Sequence, residues 1–120
     1  MDNRIYGKHV YGSFYDVEEQ KIYEDTSFGE QLVKEAVKVA GATLIDIKSW
    51  KIEGEKGGIS VLALVNESHI AIHTWKEYKY VTIDIYTCGE KADPWKAWRY
   101  LKEKLKPKKY TVNYSDRSML

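Results

Sequence analysis

The sequence predicts an α+β fold, a two-layer α/β sandwich whose mainly antiparallel sheet is covered on one face by two helices. Three observations predict it. Six segments carry the β-branched, aromatic or alternating pattern of strands, and two carry apolar residues at the three- and four-residue spacing of amphipathic helices. Their order along the chain is β-α-β-β-β-β-α-β. The length of 120 residues fits a single domain with one core.

The first half predicts a strand, a helix and a second strand. Aromatic and β-branched residues at 7–16 predict the first strand. The polar residues 25–27 can cap a helix over 28–40, whose apolar residues form one stripe. Gly41 follows the last apolar position, as expected for a residue that ends a helix. Residues 43–50 alternate well enough to predict the second strand.

The middle of the chain predicts three strands in succession. Three glycines and three charges make residues 53–58 a loop. Residues 59–65 form a nearly continuous apolar run, which is typical of a central buried strand. Residues 69–75 and 80–86 are the next two strands, and the polar segment 76–79 is the turn between them.

A second helix and a last strand complete the pattern. Asp93 is a suitable cap and Pro94 suits the first helical turn. Apolar residues within 95–105 form one stripe, Pro107 ends the helix, and 110–114 predict the final strand. Two helices cover only one face of such a sheet, and a second subunit is the simplest cover for the other.

Composition excludes several classes of function. Lys and Arg number 19 against 18 Asp and Glu, so the net charge of +1 favours neither nucleic acid nor anionic membrane as a partner. The longest apolar run is too short to span a bilayer, and we expect a cytoplasmic protein. The single cysteine, Cys88, cannot form an internal disulfide or a cysteine zinc cage. The residue type alone does not decide whether Cys88 is a small buried hydrophobic residue or takes part in chemistry.

The densest polar cluster lies at residues 66–69 and continues to His73. His69 and His73, with His9 as a distant third, could ligate a metal, but their spacing suits a helix and the segment is extended, so no metal site is predicted. A hydrolase is another interpretation, but Ser68 lacks the glycines of a G-x-S-x-G elbow. Taken singly, the histidines are best explained as hydrogen-bonded core or interface residues.

Taken together, three strings resemble the prokaryotic S-adenosylmethionine decarboxylase family. They are Asn-Glu-Ser-His-Ile-Ala-Ile-His-Thr-Trp at 66–75, Tyr-Thr-Cys-Gly-Glu at 86–90 and Asp-Pro-Trp-Lys-Ala at 93–97. The similarity extends from about Gly7 to Tyr114, nearly the whole chain. Members of this family make their own pyruvoyl cofactor from an internal serine.

The resemblance implies a specific self-cleavage. Ser68 would attack the carbonyl of Glu67, and β-elimination would cut the single-domain precursor of residues 1–120 into a β chain of 1–67 and an α chain of 68–120. Ser68 would become the pyruvoyl group, which forms a Schiff base with the substrate amine. His73 matches the residue that transfers a proton during self-cleavage. Ser60 matches a residue that assists self-cleavage. The two chains would stay together in a dimer or larger homo-oligomer.

The resemblance also assigns residues to turnover. Cys88 matches the donor that protonates the substrate carbon after carbon dioxide leaves, and an ordinary thiol is mostly protonated at neutral pH. Trp75 and Glu77 match substrate-contacting positions. Ser68 and His73 are five residues apart, however, so a straight strand would separate them by about 17 Å and point them to opposite faces. Their cooperation requires a turn or a contact from elsewhere.

The substrate implied is L-arginine, giving agmatine and carbon dioxide, with S-adenosylmethionine as the alternative. Glu53 and Glu55 occupy a loop where an aromatic that stacks on adenine is expected, and carboxylates suit a guanidinium. Residues 7–12 and the tail at 114–118 resemble the archaeal arginine decarboxylase branch. A hypothesis of another class is a non-catalytic regulatory or binding module that keeps the fold.

Overall fold

The computed structural model describes residues 4–66 and 68–120, and within them the chain forms one six-stranded antiparallel sheet. The strand order is β2-β3-β4-β5-β1-β6. The strands are β1 (Lys8–Tyr15), β2 (Leu44–Ile52), β3 (Gly58–Val65), β4 (Ser68–Trp75), β5 (Tyr80–Thr87) and β6 (Lys109–Asp116). The helices are α1 (Lys21–Glu24), α2 (Thr26–Val39) and α3 (Pro94–Leu105). The predicted α+β sandwich is confirmed.

The predicted helix ends are also confirmed. Asp25 caps α2 by accepting a hydrogen bond from the Phe28 backbone N–H at 3.1 Å. Gly41 follows α2 with a φ of +79°, a conformation that glycine adopts without strain. Asp93 caps α3 through the Trp95 N–H at 2.9 Å. None of the helices in the described part of the chain is long and apolar enough to cross a membrane.

The short helix α1 and a 3-10 helix at Lys76–Tyr78 were not predicted. Four residues are too few to show a helical period, although two of those in α1, Ile22 and Tyr23, are buried. The Tyr23 hydroxyl donates to the Val17 carbonyl at 2.7 Å, which fixes the chain between β1 and α2.

The core lies between the sheet and the helices. Alternate residues of the central strands face α2 and α3, so the odd positions of β3 from Ile59 to Val65 are buried. The even positions face the opposite side, where Leu62 is 43% and Leu64 52% exposed. We call this second side the open face. The apolar run at 59–65 is therefore covered by the helices on one side and exposed on the open face.

Candidate functional site

Ser68 and Cys88 line one cleft of about 580 Å³ at an end of the sheet. Ser68 is the first residue of β4, directly after the connection from β3. Its side chain is buried on the helix side, with 7% of its surface exposed. Its Oγ donates to the Asn66 carbonyl at 3.2 Å. The Asn66 N–H donates in turn to the Thr43 carbonyl, which ties the hairpin to the segment before β2.

Cys88 carries a free thiol on a loop that is held from two sides. It follows the last residue of β5 and is partly exposed. Lys8 Nζ reaches from β1 to donate to the Ala92 carbonyl at 3.0 Å. The Asp93 N–H donates to the Ala40 carbonyl at the end of α2. These bonds fix the loop that carries the thiol against two elements of the scaffold.

Ser60 and His73 form a pair on the open face, away from Ser68. They are cross-strand partners of β3 and β4, and Ser60 Oγ lies 2.8 Å from His73 Nδ1. Along β4 the burial alternates, so Ser68 faces the helices and His73 faces the open side. Within one chain, therefore, the structure does not bring Ser68 and His73 together, as their spacing on a straight strand predicts.

Trp75 lies at the far end of β4 from Ser68. Its ring packs against Tyr80 with centroids 5.2 Å apart and lies 6.5 Å from the His73 ring. Trp75 is therefore a neighbour of His73 rather than of Ser68 in the same chain.

Glu77 lines a second, smaller hollow of about 200 Å³ next to the loop that precedes β3. Glu53 lines the same hollow, whereas Glu55 lies in the exposed turn beside it. Lys76 and Glu24 form an ion pair there. The hydrogen bond from Lys76 lowers the pKa of the Glu24 carboxyl, and the same bond raises the pKa of the Lys76 ammonium.

The open face also holds a cluster that the sequence did not indicate. Asp84 of β5 contacts both histidines of the neighbouring strands, with His9 Nε2 at Oδ1 and His69 Nε2 3.4 Å from Oδ2. The rings of Tyr11 and Tyr86 pack against His9 and His69, with centroids 4.6 Å and 5.8 Å apart. Across residues 4–66 and 68–120, no group of three or more His, Cys, Asp or Glu is arranged to hold a metal ion.

Comparison with known proteins finds the same family by sequence and by structure. The S-adenosylmethionine decarboxylase family profile matches residues 8–118. The arginine decarboxylase proenzyme of Hyperthermus butylicus is 53% identical over 116 residues, covering 97% of this chain and 81% of that protein. The one from Aeropyrum pernix is 57% identical over 114 residues, covering 95% and 86%.

A third arginine decarboxylase proenzyme, from Ignicoccus hospitalis, is 51% identical over 118 residues and covers 98% of this chain and 81% of its own. Among solved structures, the adenosylmethionine decarboxylase of Aquifex aeolicus superposes with a TM-score of 0.86 at 29% identity. That match covers 98% of this chain and 94% of the other.

Proposed function

This chain belongs to the S-adenosylmethionine decarboxylase family, a family of carboxy-lyases, and we propose that it is a self-cleaving, pyruvoyl-dependent decarboxylase that converts L-arginine to agmatine and carbon dioxide. One observation carries the proposal: a serine at the tip of a strand and the only cysteine of the chain line the same cleft. The serine supplies the pyruvoyl group and the thiol supplies a proton. Both act at the same place.

Self-cleavage begins with attack by Ser68 Oγ on the carbonyl carbon of Glu67, a residue that lies outside the described part of the chain. The peptide bond becomes an ester, and loss of the Ser68 Cα proton then breaks the Cβ–Oγ bond. Residues 1–67 leave with a C-terminal carboxylate, and water converts the remaining dehydroalanine to a pyruvoyl group and ammonia. The hairpin position of Ser68, with its hydroxyl already directed at a backbone carbonyl of the turn, supports this assignment.

The proton transfer in processing comes from His73 of a second copy, which packs on the open face and reaches Ser68 around the end of the sheet where the cleft opens. Two observations support this arrangement. His73 and its partner Ser60 lie on the open face, while Ser68 of the same chain faces the helices. The open face also exposes large apolar side chains, including Trp50 at 53%, Leu62 and Leu64, which a homo-oligomer would bury.

In turnover the chain's own residues bind the substrate and deliver one proton. The pyruvoyl group supplies an electron sink for the bond to carbon dioxide. Cys88 then protonates the substrate carbon, and its partial exposure within the cleft lets the thiol reach that carbon. The hydrogen bonds of Lys8 and Asp93 hold the loop that carries the thiol at the cleft that residue 68 also lines.

L-arginine is the preferred substrate because the proenzymes at 51–57% identity are named arginine decarboxylases. The hollow beside the loop at 53–57 is lined by three carboxylates, Glu24, Glu53 and Glu77, and by Lys51 and Lys76. Glu24 is paired with Lys76, which leaves Glu53 and Glu77 for a guanidinium, a group that binds carboxylates bidentately. Because the hollow lies at the other end of β4 from Ser68, it would serve residue 68 of a second copy. S-adenosylmethionine is the second candidate, since the Aquifex aeolicus structure is named for that activity.

Two measurements test the proposal in order. Intact-mass analysis of the purified chain should show two fragments that divide at residue 68, and a chain that stays whole at 120 residues removes the self-cleaving mechanism. Carbon dioxide release is then measured with L-arginine and with S-adenosylmethionine in parallel. We expect release from arginine, and release from the nucleoside alone would assign the second substrate instead.

A further inference from the structure

Thr87 carries a buried hydroxyl that has no partner. It is the last residue of β5, none of its surface is exposed, and its Oγ1 makes no hydrogen bond. Within residues 4–66 and 68–120 it is the one buried side-chain oxygen or nitrogen in this condition. Burying a hydroxyl without a hydrogen bond costs about 1–3 kcal/mol, so a valine of the same shape would fit this place better. The threonine therefore calls for an explanation other than packing.

The position of Thr87 supplies that explanation. The antiparallel register pairs His69 of β4 with Tyr86 of β5, and the next step along both strands sets Ser68 opposite Thr87. Both side chains point to the helix side of the sheet, since Ser68 is 7% and Thr87 0% exposed. Residues opposite each other on one face have Cβ atoms about 4.5–5.5 Å apart. The hydroxyl is thus a lateral neighbour of Ser68.

We propose that the Thr87 hydroxyl is the hydrogen-bond donor for the Ser68 oxygen during self-cleavage. This inference rests on the proposed function, because it concerns the reaction that makes the pyruvoyl group. In the precursor, Ser68 Oγ donates its proton to the Asn66 carbonyl and leaves Thr87 unpaired. The donor is therefore in place before the charge that it stabilises has formed.

The step in which Thr87 acts is the β-elimination. A base removes the Cα proton of residue 68, the electron pair forms the Cα–Cβ double bond, and the Cβ–Oγ bond breaks. The former Ser68 oxygen leaves as part of the Glu67 carboxylate, and negative charge develops on it. Thr87 donates a hydrogen bond to this oxygen and keeps its own proton. Water reacts only in the later step, the hydrolysis of the dehydroalanine.

Two substitutions distinguish this role from a structural one. Thr87→Val removes the hydroxyl and keeps the branched shape, and Thr87→Ser keeps the hydroxyl and removes a methyl group. The measurement is the half-time of self-cleavage of freshly folded 120-residue precursor, followed by intact mass, together with the thermal midpoint of each variant in a Ser68→Ala background. Loss of one preorganised donor slows a reaction by about 10²–10³-fold.

We expect Thr87→Val to cleave at least tenfold more slowly than the native chain with an equal or higher thermal midpoint. We expect Thr87→Ser to cleave within about threefold of the native rate although it loses packing and melts lower. A packing role predicts the reverse order of cleavage rates. Cleavage of the valine variant at the native rate, or equal slowing of both variants, overturns the inference. If the native chain itself never cleaves, the proposed function fails instead.

Discussion

Ser60 Oγ and His73 Nδ1 lie 2.8 Å apart across β3 and β4, on the sheet face opposite to the one that carries Ser68. Ser68 and His73, which the proposed self-cleavage needs at one bond, are thus separated by the sheet itself. The alternation of a β-strand permits no other outcome for residues five apart on a straight strand. The reaction centre is therefore expected to be built from two copies of the chain.

Hybrid oligomers test this arrangement directly. We expect Ser68→Ala and His73→Ala chains to remain uncut when each is expressed alone, because the first lacks the nucleophile and the second the proton-transfer group. When the two are co-expressed, the His73→Ala chain should be cut by using His73 of its partner. Random pairing in dimers limits this initially to about half of those chains. Differently tagged chains and intact mass give the measurement.

Two results would contradict the hybrid prediction. Cleavage of the His73→Ala chain alone would show that the histidine is dispensable, and no cleavage in the mixture would show that it acts within its own chain. The matched control co-expresses the Ser68→Ala chain with a double variant that carries both Ser68→Ala and Ser60→Ala. Neither chain offers a nucleophile, so neither should be cut.

Cys88→Ser should separate processing from turnover. The variant retains Ser68, Ser60 and His73, so we expect it to be cut into two fragments. A serine hydroxyl is a far weaker acid than a thiol, and loss of a general acid typically costs 10²–10⁴-fold in rate. We expect carbon dioxide release per cleaved chain to fall by about 10²-fold. An unchanged rate per cleaved chain would remove Cys88 from the role of proton donor.

Tyr23 should make the fold sensitive to alkaline pH. Its side chain is 1% exposed, and burial raises its pKa above the usual range. The folded state holds the phenol proton while the unfolded state releases it near pH 10, so the stabilisation is complete below about pH 10 and is lost as the pH rises. Above that pH the free energy of unfolding falls by up to about 1.4 kcal/mol per pH unit.

Thermal midpoints between pH 8 and 11.5 measure this effect, in a Ser68→Ala background that cannot cleave. We expect Tyr23→Phe to show a shallower decline than the native side chain, at the cost of the hydrogen bond to Val17. Tyr78→Phe is the matched control because Tyr78 is 60% exposed, and its profile should follow that of the native chain. Identical slopes for all three proteins would contradict the assignment.

Thr74 should be a larger contributor to stability than its size suggests. Its hydroxyl is buried, accepts from the Ile59 N–H at 2.8 Å and donates to the Ile59 carbonyl at 2.9 Å. Thr74→Val leaves the buried N–H without a partner, and we expect a loss of about 1–3 kcal/mol in urea unfolding. Thr111→Val on the exposed surface of β6 should stay within about 0.5 kcal/mol. Equal effects of the two substitutions would contradict this prediction.

Local patterns predicted the six strands and the two longer helices of this fold, whereas they did not predict the short helices or the contacts between distant segments. The caps Asp25 and Asp93 follow from rules that span three or four residues, and the structure has both. The contact of His9 with Asp84 joins residues 75 apart and depends on β1 lying beside β5, which no local signal specifies. The family motif identified Ser68 and Cys88, and the fold was needed to put them in one cleft.

The strand order has a consequence if the chain is cut before residue 68, as we propose. Residues 1–67 contribute β1, β2 and β3, while 68–120 contribute β4, β5 and β6, and β1 lies between β5 and β6. The two fragments are interleaved, so they can separate only by unfolding. Refolding of the cut protein then becomes a second-order reaction, whose rate and unfolding midpoint rise with protein concentration. In the intact precursor the six strands belong to one chain, so the sheet itself forms in a unimolecular step, and only the association of whole chains depends on concentration.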